Sequence, residues 1–142
     1  MRLSVIDFIV TYRNAISGIL MILGIIAYIV YAIHYVKTKQ KFIDLCTLFV
    51  DKFNARPAEV LIYQDSGVFF SFMRDAFYIK ALYFKENAFH TRDMDNEQIR
   101  FIKNLPREYT DWLRVKVRIS IVGAVLLLLM LATYYLPPLL VK

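Results

Sequence analysis

The chain has 142 residues, 58% of them hydrophobic, one cysteine and a formal net charge of +6 at pH 7. A lone cysteine, Cys46, excludes an internal disulfide and suits a reducing compartment. The cationic excess comes without a recognised nucleic-acid module, so it points to membrane-flanking charge and anionic lipid rather than to DNA or RNA.

Residues 15–36 and 119–141 contain no Asp, Glu, Lys or Arg. A hydrocarbon core about 30 Å thick takes roughly 20 apolar residues in helix, so both runs are predicted to span a membrane. Two segments cannot close a barrel, which leaves a helical hairpin. Ahead of the first run, residues 1–14 carry Arg2 and Arg13. Arg2 before an apolar stretch imitates a secretory signal, but the run is longer than a signal core and lacks a small-x-small end, predicting an uncleaved anchor. Tyr12 lies near one end of this span, with His34 and Tyr35 near the other, where interfacial rings belong. His34 has no carboxylate within local helical reach and reads as an anchor rather than a proton relay.

Lys37, Lys39, Lys41 and Lys52 follow the first run, and Arg100, Lys103, Arg107, Arg114, Lys116 and Arg118 approach the second. Only Arg2, Arg13 and Lys142 stand outside. The positive-inside rule therefore places residues 37–118 in the cytoplasm and both flanking ends in the periplasm of a bacterial inner membrane.

From Lys41, the spacing of Phe42, Leu45, Cys46, Phe49, Val50 and Phe53 predicts an amphipathic helix continuous with the first span. It should end near Asn54-Ala55-Arg56, because Pro57 disfavours helix at the residue before it. Cys46 reads as a small buried hydrophobe. In residues 59–72, Val60-Leu61-Ile62-Tyr63 and Val68-Phe69-Phe70 flank the turn-forming Gln64-Asp65-Ser66-Gly67. An isolated hairpin is marginal, so an irregular loop packed on helices is the preferred expectation.

Residues 73–89 predict a helix apolar almost all round, relieved by Arg74, Asp75, Lys80, Lys85 and Glu86. Each such charge costs roughly 2.5–3.5 kcal/mol at a bilayer centre, which argues against a third span. Its cover is either the interior of a small helical domain or the lipid headgroup boundary. Asp95 or Asn96 can cap a short helix through Ile99, Phe101 and Ile102. Pro106 suits the first turn of a last helix running through Tyr109, Trp112, Leu113 and Val117 into the second span. Tyr134 and Tyr135 precede Pro137-Pro138, an expected helix stop. Together these elements predict an all-α membrane protein: a two-span transmembrane helical hairpin with helical cytoplasmic extensions and a small cytoplasmic helical module.

Asp93, Asp95, Asn96 and Glu97, with His90 nearby, form the one group resembling a metal site. A calcium loop starting at Asp93 needs Gly at its sixth position and Glu at its twelfth, where this chain has Gln98 and Asn104. No metal or cofactor is expected. Without a nucleophile elbow, a phosphate-cradling glycine loop, HExxH or CxxC, catalysis is not expected either. Gly18 and Gly24 in the first span and Ser120, Gly123 and Ala124 in the second offer small faces for packing within the hairpin, in a homo-oligomer or against a larger partner. Arg107, Arg114 and Arg118 share one helix face, suited to membrane flanking, an acidic partner or a phospholipid headgroup. Candidate contacts for a membrane-associated protein partner are Tyr63, Phe69, Phe70, Tyr78, Tyr83, Trp112 and Arg114, because aromatic and Arg side chains are favoured anchors.

The segment Tyr63-Gln64-Asp65-Ser66-Gly67-Val68-Phe69-Phe70-Ser71 resembles universal stress protein B, a small two-span inner-membrane protein of bacteria. The likeness covers residues 60–125 and includes the aromatic Ile79-Lys80-Ala81-Leu82-Tyr83-Phe84, the acidic stretch 90–100 and the basic approach to the second span. This chain departs from it in a longer loop and an inserted Leu105-Pro106. It implies a membrane stress-resistance factor. In size and layout the chain also resembles the entry-exclusion proteins of integrative conjugative elements, whose cytoplasmic portion recognises a conjugation protein of an incoming element and blocks redundant transfer. That resemblance implies an aromatic cytoplasmic surface that discriminates between partners. A small toxin or pore is the least favoured class, given the many cations of the middle.

Overall fold

A computed structural model describes the backbone of residues 5–140, and the side chains of Phe8 and of residues 11–135. Arg2, Val141 and Lys142 lie outside the described residues. In chain order the elements are α1 (Val5–Phe53), α2 (Ala58–Tyr63), α3 (Ser71–Tyr83), a single 3-10 turn (Phe89–Thr91), α4 (Asn96–Asn104) and α5 (Arg107–Leu140). The described residues contain no strand.

α1 runs unbroken through residues 37–40 and stops where the sequence says it should. Asn54 adopts the left-handed conformation, φ +49°, and donates its N–H to the Val50 carbonyl at 2.7 Å. Asn tolerates that region better than most residues, and Pro57 follows to prevent resumption. α5 continues through Pro137 and Pro138 to Leu140, past the expected stop. Proline's fixed φ is compatible with helix, although its nitrogen has no N–H to donate to the preceding turn.

α1 and α5 contain the two stretches long and apolar enough to cross a membrane, within Thr11–Phe53 and Arg107–Tyr135. Their most apolar windows are only 0% and 6% buried, whereas the core helix of a water-soluble protein is covered by its own chain. The chain divides into two units, one made of the segments up to Tyr31 and from Arg118, the other of Ala32–Val117.

In the first unit, the three helical glycines are not closely approached by described residues of the same chain. A Cβ added at Gly18, Gly24 or Gly123 would meet nothing within 4 Å, so no neighbour occupies the space their missing side chains leave. Ser120 is half-buried and Ala124 exposed.

The second unit is a helical module centred on α3. Ser71, Arg74, Asp75, Phe77, Tyr78, Ile79 and Ala81 of α3 are buried. They are covered by Phe42, Leu45 and Phe49 of α1, Val60 of α2, Ile99 and Ile102 of α4, and Trp112 and Leu113 of α5. Of the two covers expected for residues 73–89, the helical interior is the one observed for α3. Phe49 is the hub: its ring meets Phe77 at 5.4 Å and Tyr78 at 5.9 Å, both edge to face.

Two boundaries differ from expectation. Residues 58–63 form a short helix rather than a loop, because Pro57 sets an extended entry and Glu59 sits in the first turn. Only Val60 of that helix is buried, and a Glu59–Lys80 ion pair at 2.9 Å pins it to α3. α3 stops at Tyr83 rather than Phe89. Phe84 turns extended, Asn87 takes φ +59°, and the Thr91 hydroxyl donates toward the carbonyls of Lys85 and Ala88 to hold the turn. α4 starts on a reciprocal capping box between Asp95 and Gln98.

Removing the hub ring is expected to cost more than removing the cap. Phe49→Ala should destabilise the module by about 3–5 kcal/mol, and Asp95→Ala by about 1 kcal/mol. Denaturant titration of the full chain in non-ionic detergent, followed through Trp112, compares the two.

Candidate functional site

α3 places Arg74 and Asp75 side by side, and α5 brings Lys116 to meet them. Asp75 is 0% exposed, Lys116 1% and Arg74 5%. Lys116 Nζ donates to Asp75 Oδ2 at 2.6 Å and to the Ser71 carbonyl at 3.0 Å, while Arg74 Nε donates to Asp75 Oδ1 at 2.8 Å. One carboxylate therefore serves two interior cations, and the cluster carries one unmatched positive charge. Aromatic faces offset part of that excess: the Arg74 guanidinium lies 3.6 Å from the Phe42 ring centre and 5.3 Å from that of Tyr35, and Lys116 Nζ lies 5.7 Å from Tyr35. Burial pushes the Lys116 ammonium below the usual lysine value, with the Asp75 charge pulling the other way.

Around this cluster α1 is tied to α5 a second time. His34 Nε2 donates to the Trp112 carbonyl at 2.9 Å, and the buried Thr38 hydroxyl donates to the His34 carbonyl at 2.7 Å. The Trp112 ring meets Phe42 edge to face at 6.4 Å. Beside Arg74 opens a groove of about 630 Å³ between the Tyr35 to Asp51 face of α1 and the residues around α2. Cys46 lines it, half-buried, and accepts a hydrogen bond from the Tyr78 hydroxyl at 3.4 Å. Burial pushes both the thiol and the phenol up, which keeps Cys46 a poor nucleophile near neutral pH.

A second feature lies on the surface of the module. The sequence after α2 turns on Gly67 at φ +70°, where a side chain would be strained. The hydroxyls of Ser66 and Ser71 donate to the carbonyls of Tyr63 and Val68, at 2.6 and 2.8 Å. This fixed turn presents Phe69, 77% exposed, and Phe70, whose ring stacks on half-buried Tyr63 at 6.1 Å. Leu61 and Ile62 just before it and Met73 just after it are also exposed.

Of the candidate contacts, Phe69, Phe70, Tyr83 and Arg114 are exposed and Tyr63 is half-buried. Arg114 lies 3.9 Å from Asp111 on the same helix. Tyr78 and Trp112 must be withdrawn as surface contacts: Tyr78 is enclosed between α1 and α3, and Trp112 faces Phe42 and the α1 tie. Phe89, exposed beside Phe84 and His90, escaped sequence reasoning, as did the Arg74–Asp75–Lys116 cluster. The cluster did leave one signal, since Lys116 shares a helical stripe with Trp112 and Leu113.

The acidic stretch is engaged locally. Lys80 bonds Asp93 at 2.8 Å and holds its carboxyl below the usual range, Asp95 caps α4, and Glu97 pairs with Lys52 at 3.5 Å. Among the described residues no group of three or more His, Cys, Asp and Glu is placed to hold a metal ion. Arg107, Arg114 and Arg118 are all exposed. The chain matches no protein-family model, no curated protein and no solved structure.

Asp75→Asn should destabilise the module by about 3–5 kcal/mol, because it leaves two buried cations facing a neutral amide. Adding Lys116→Met should recover a large part of that loss. Equal, additive losses in a double-mutant cycle would show that the two groups are not coupled.

Proposed function

We propose that this chain is a non-enzymatic, multi-pass protein of the bacterial inner membrane. Residues 15–36 and 119–141 span the bilayer, residues 37–118 lie in the cytoplasm, and the segments outside the spans are periplasmic. The cytoplasmic module recognises a membrane-associated protein, a conjugation component of an incoming element, and thereby excludes redundant transfer. The apolar windows that the chain leaves uncovered support lipid as their solvent.

The observation that carries the recognition reading is the rigid turn displaying Phe69 and Phe70. The module already has a closed core built on other rings, so these two, with Leu61, Ile62 and Met73, are not needed to fill it. Large apolar side chains held in water on a hydrogen-bonded turn mark an interaction surface. Their preset conformation lowers the ordering cost of association.

Recipient cells expressing the protein should accept a related conjugative element much less often, with unrelated plasmids unaffected. Phe69→Ala with Phe70→Ala should restore receipt by roughly 30-fold, the effect of losing one hot spot of about 2 kcal/mol. Unaltered transfer in cells with the native chain, alongside altered survival in ethanol or stationary phase, would instead favour a stress-resistance role like that of universal stress protein B.

Orientation is tested separately. A Ser66→Cys variant in a Cys46→Ala background should react with a membrane-impermeant maleimide only after the inner membrane is opened. Labelling in intact spheroplasts would reverse the topology.

A further inference from the structure

We propose that the groove beside Arg74 is a binding site for a singly charged phosphodiester, held by Arg74 with Arg56 and Lys39 at its rim. The site lies entirely within the Ala32–Val117 unit; Gln64, Asp65 and Gly67 of the turn before Phe69 line it, whereas Phe69 itself does not.

Three observations converge on it. Arg74 is a nearly buried cation whose Nε is engaged by Asp75 and whose flat face lies on Phe42. Arg74 lines the groove together with Lys39 and Arg56, so three cationic side chains meet on one cavity. A guanidinium carries paired N–H groups that match two oxygens of one oxyanion.

Charge sets the kind of anion. Lys39, Arg56 and Arg74 line the groove against Asp51 and Asp65, and with Asp75 and Lys116 behind Arg74 the groove and cluster together carry an excess of one positive charge. A monoanion balances that excess, whereas a polyphosphate would meet the two carboxylates uncompensated. The volume of about 630 Å³ falls within the range of small-molecule sites. Phe42, Ile43, Val50 and Val60 give the groove an apolar wall, so it suits a phosphodiester attached to carbon-rich substituents. Such a group occurs on an anionic phospholipid and on a soluble headgroup ester alike.

The chain carries its own reporters. Trp112, the single tryptophan, touches the Phe42 ring on which Arg74 rests, and Cys46, the single cysteine, lines the groove. Full-length protein in maltoside micelles is titrated with soluble glycerophosphoglycerol in one arm and with dioctanoyl phosphatidylglycerol in the other. Uncharged dioctanoylglycerol is the control. Trp112 emission and the rate of Cys46 alkylation, run at alkaline pH because the thiol is buried, are followed together.

The expected result is a saturable Trp112 change with alkylation slowed at least about threefold by the phosphodiester and not by the control. Activity in both arms makes the phosphodiester itself the ligand, and activity in the lipid arm alone makes it a headgroup with its acyl chains. Arg56→Gln with Lys39→Gln, both at exposed positions, should weaken the apparent affinity by about tenfold, and Arg74→Gln by more. The rim pair keeps the test decisive should the Arg74 variant fail to fold. Phe69→Ala should change nothing here, which separates this site from the recognition turn. Absence of a saturable response in both arms, or an equal response to dioctanoylglycerol, overturns the proposal.

Discussion

Asp75 is the point on which the module turns. Its two carboxylate oxygens are shared between Lys116 of α5 and Arg74 of its own helix, and all three side chains are out of water. Removing two cations and an anion from solvent is costly, and the attraction between them offsets the cost only when geometry is tight. The constraint therefore acts as a register. α5 must present residue 116 opposite the first turns of α3, and α1 must place Phe42 and Tyr35 against the cations. Apolar residues at these three positions would pack in several rotations; a buried carboxylate with two donors accepts one.

The hydrogen bond from His34 to the Trp112 carbonyl repeats the same register one turn away. A histidine that reads in isolation as an interfacial anchor thus becomes a fastener between α1 and α5. Trp112 is fixed by it and by its own Nε1, which donates to the Tyr109 carbonyl at 2.8 Å. About two successive turns of α5, residues 109–116, are in this way locked, which explains why Trp112 is core although its side chain is of the type favoured at interfaces.

What sequence reasoning reached was governed by the range of the interactions involved. The continuous α1, its end at Asn54 to Pro57, the Asp95 cap and the start of α5 after Pro106 all follow from contacts within a few residues. The helix at 58–63 did not, because four consecutive apolar residues fit a strand or a helix equally well. The decision there falls to Pro57 before the run and to the Glu59–Lys80 pair across it. Tyr78 and Trp112 were misplaced on the surface because no local pattern distinguishes an aromatic anchor from an aromatic core. The Asp75–Lys116 pair joins residues 41 apart, and neither partner names the other in the sequence. Gly18, Gly24 and Gly123 read as packing residues because small faces permit close approach; permission is not contact, and no neighbour in this chain makes use of it.

Different solvents divide the chain's apolar surface. In the most apolar windows within Thr11–Phe53 and Arg107–Tyr135 it is left almost uncovered by the protein, an exposure that a hydrocarbon environment would make free of cost. In Ala32–Val117 the rings of Phe42, Phe49, Phe77 and Tyr78 cover one another, so an exposed ring there is a choice rather than a surplus. Phe69 and Phe70 are the clearest instance, 77% and 54% exposed in a segment where glycine takes a positive φ and two serine hydroxyls bond backbone carbonyls. Holding them in water is useful only if something other than this module covers them, and the recognition reading supplies that cover.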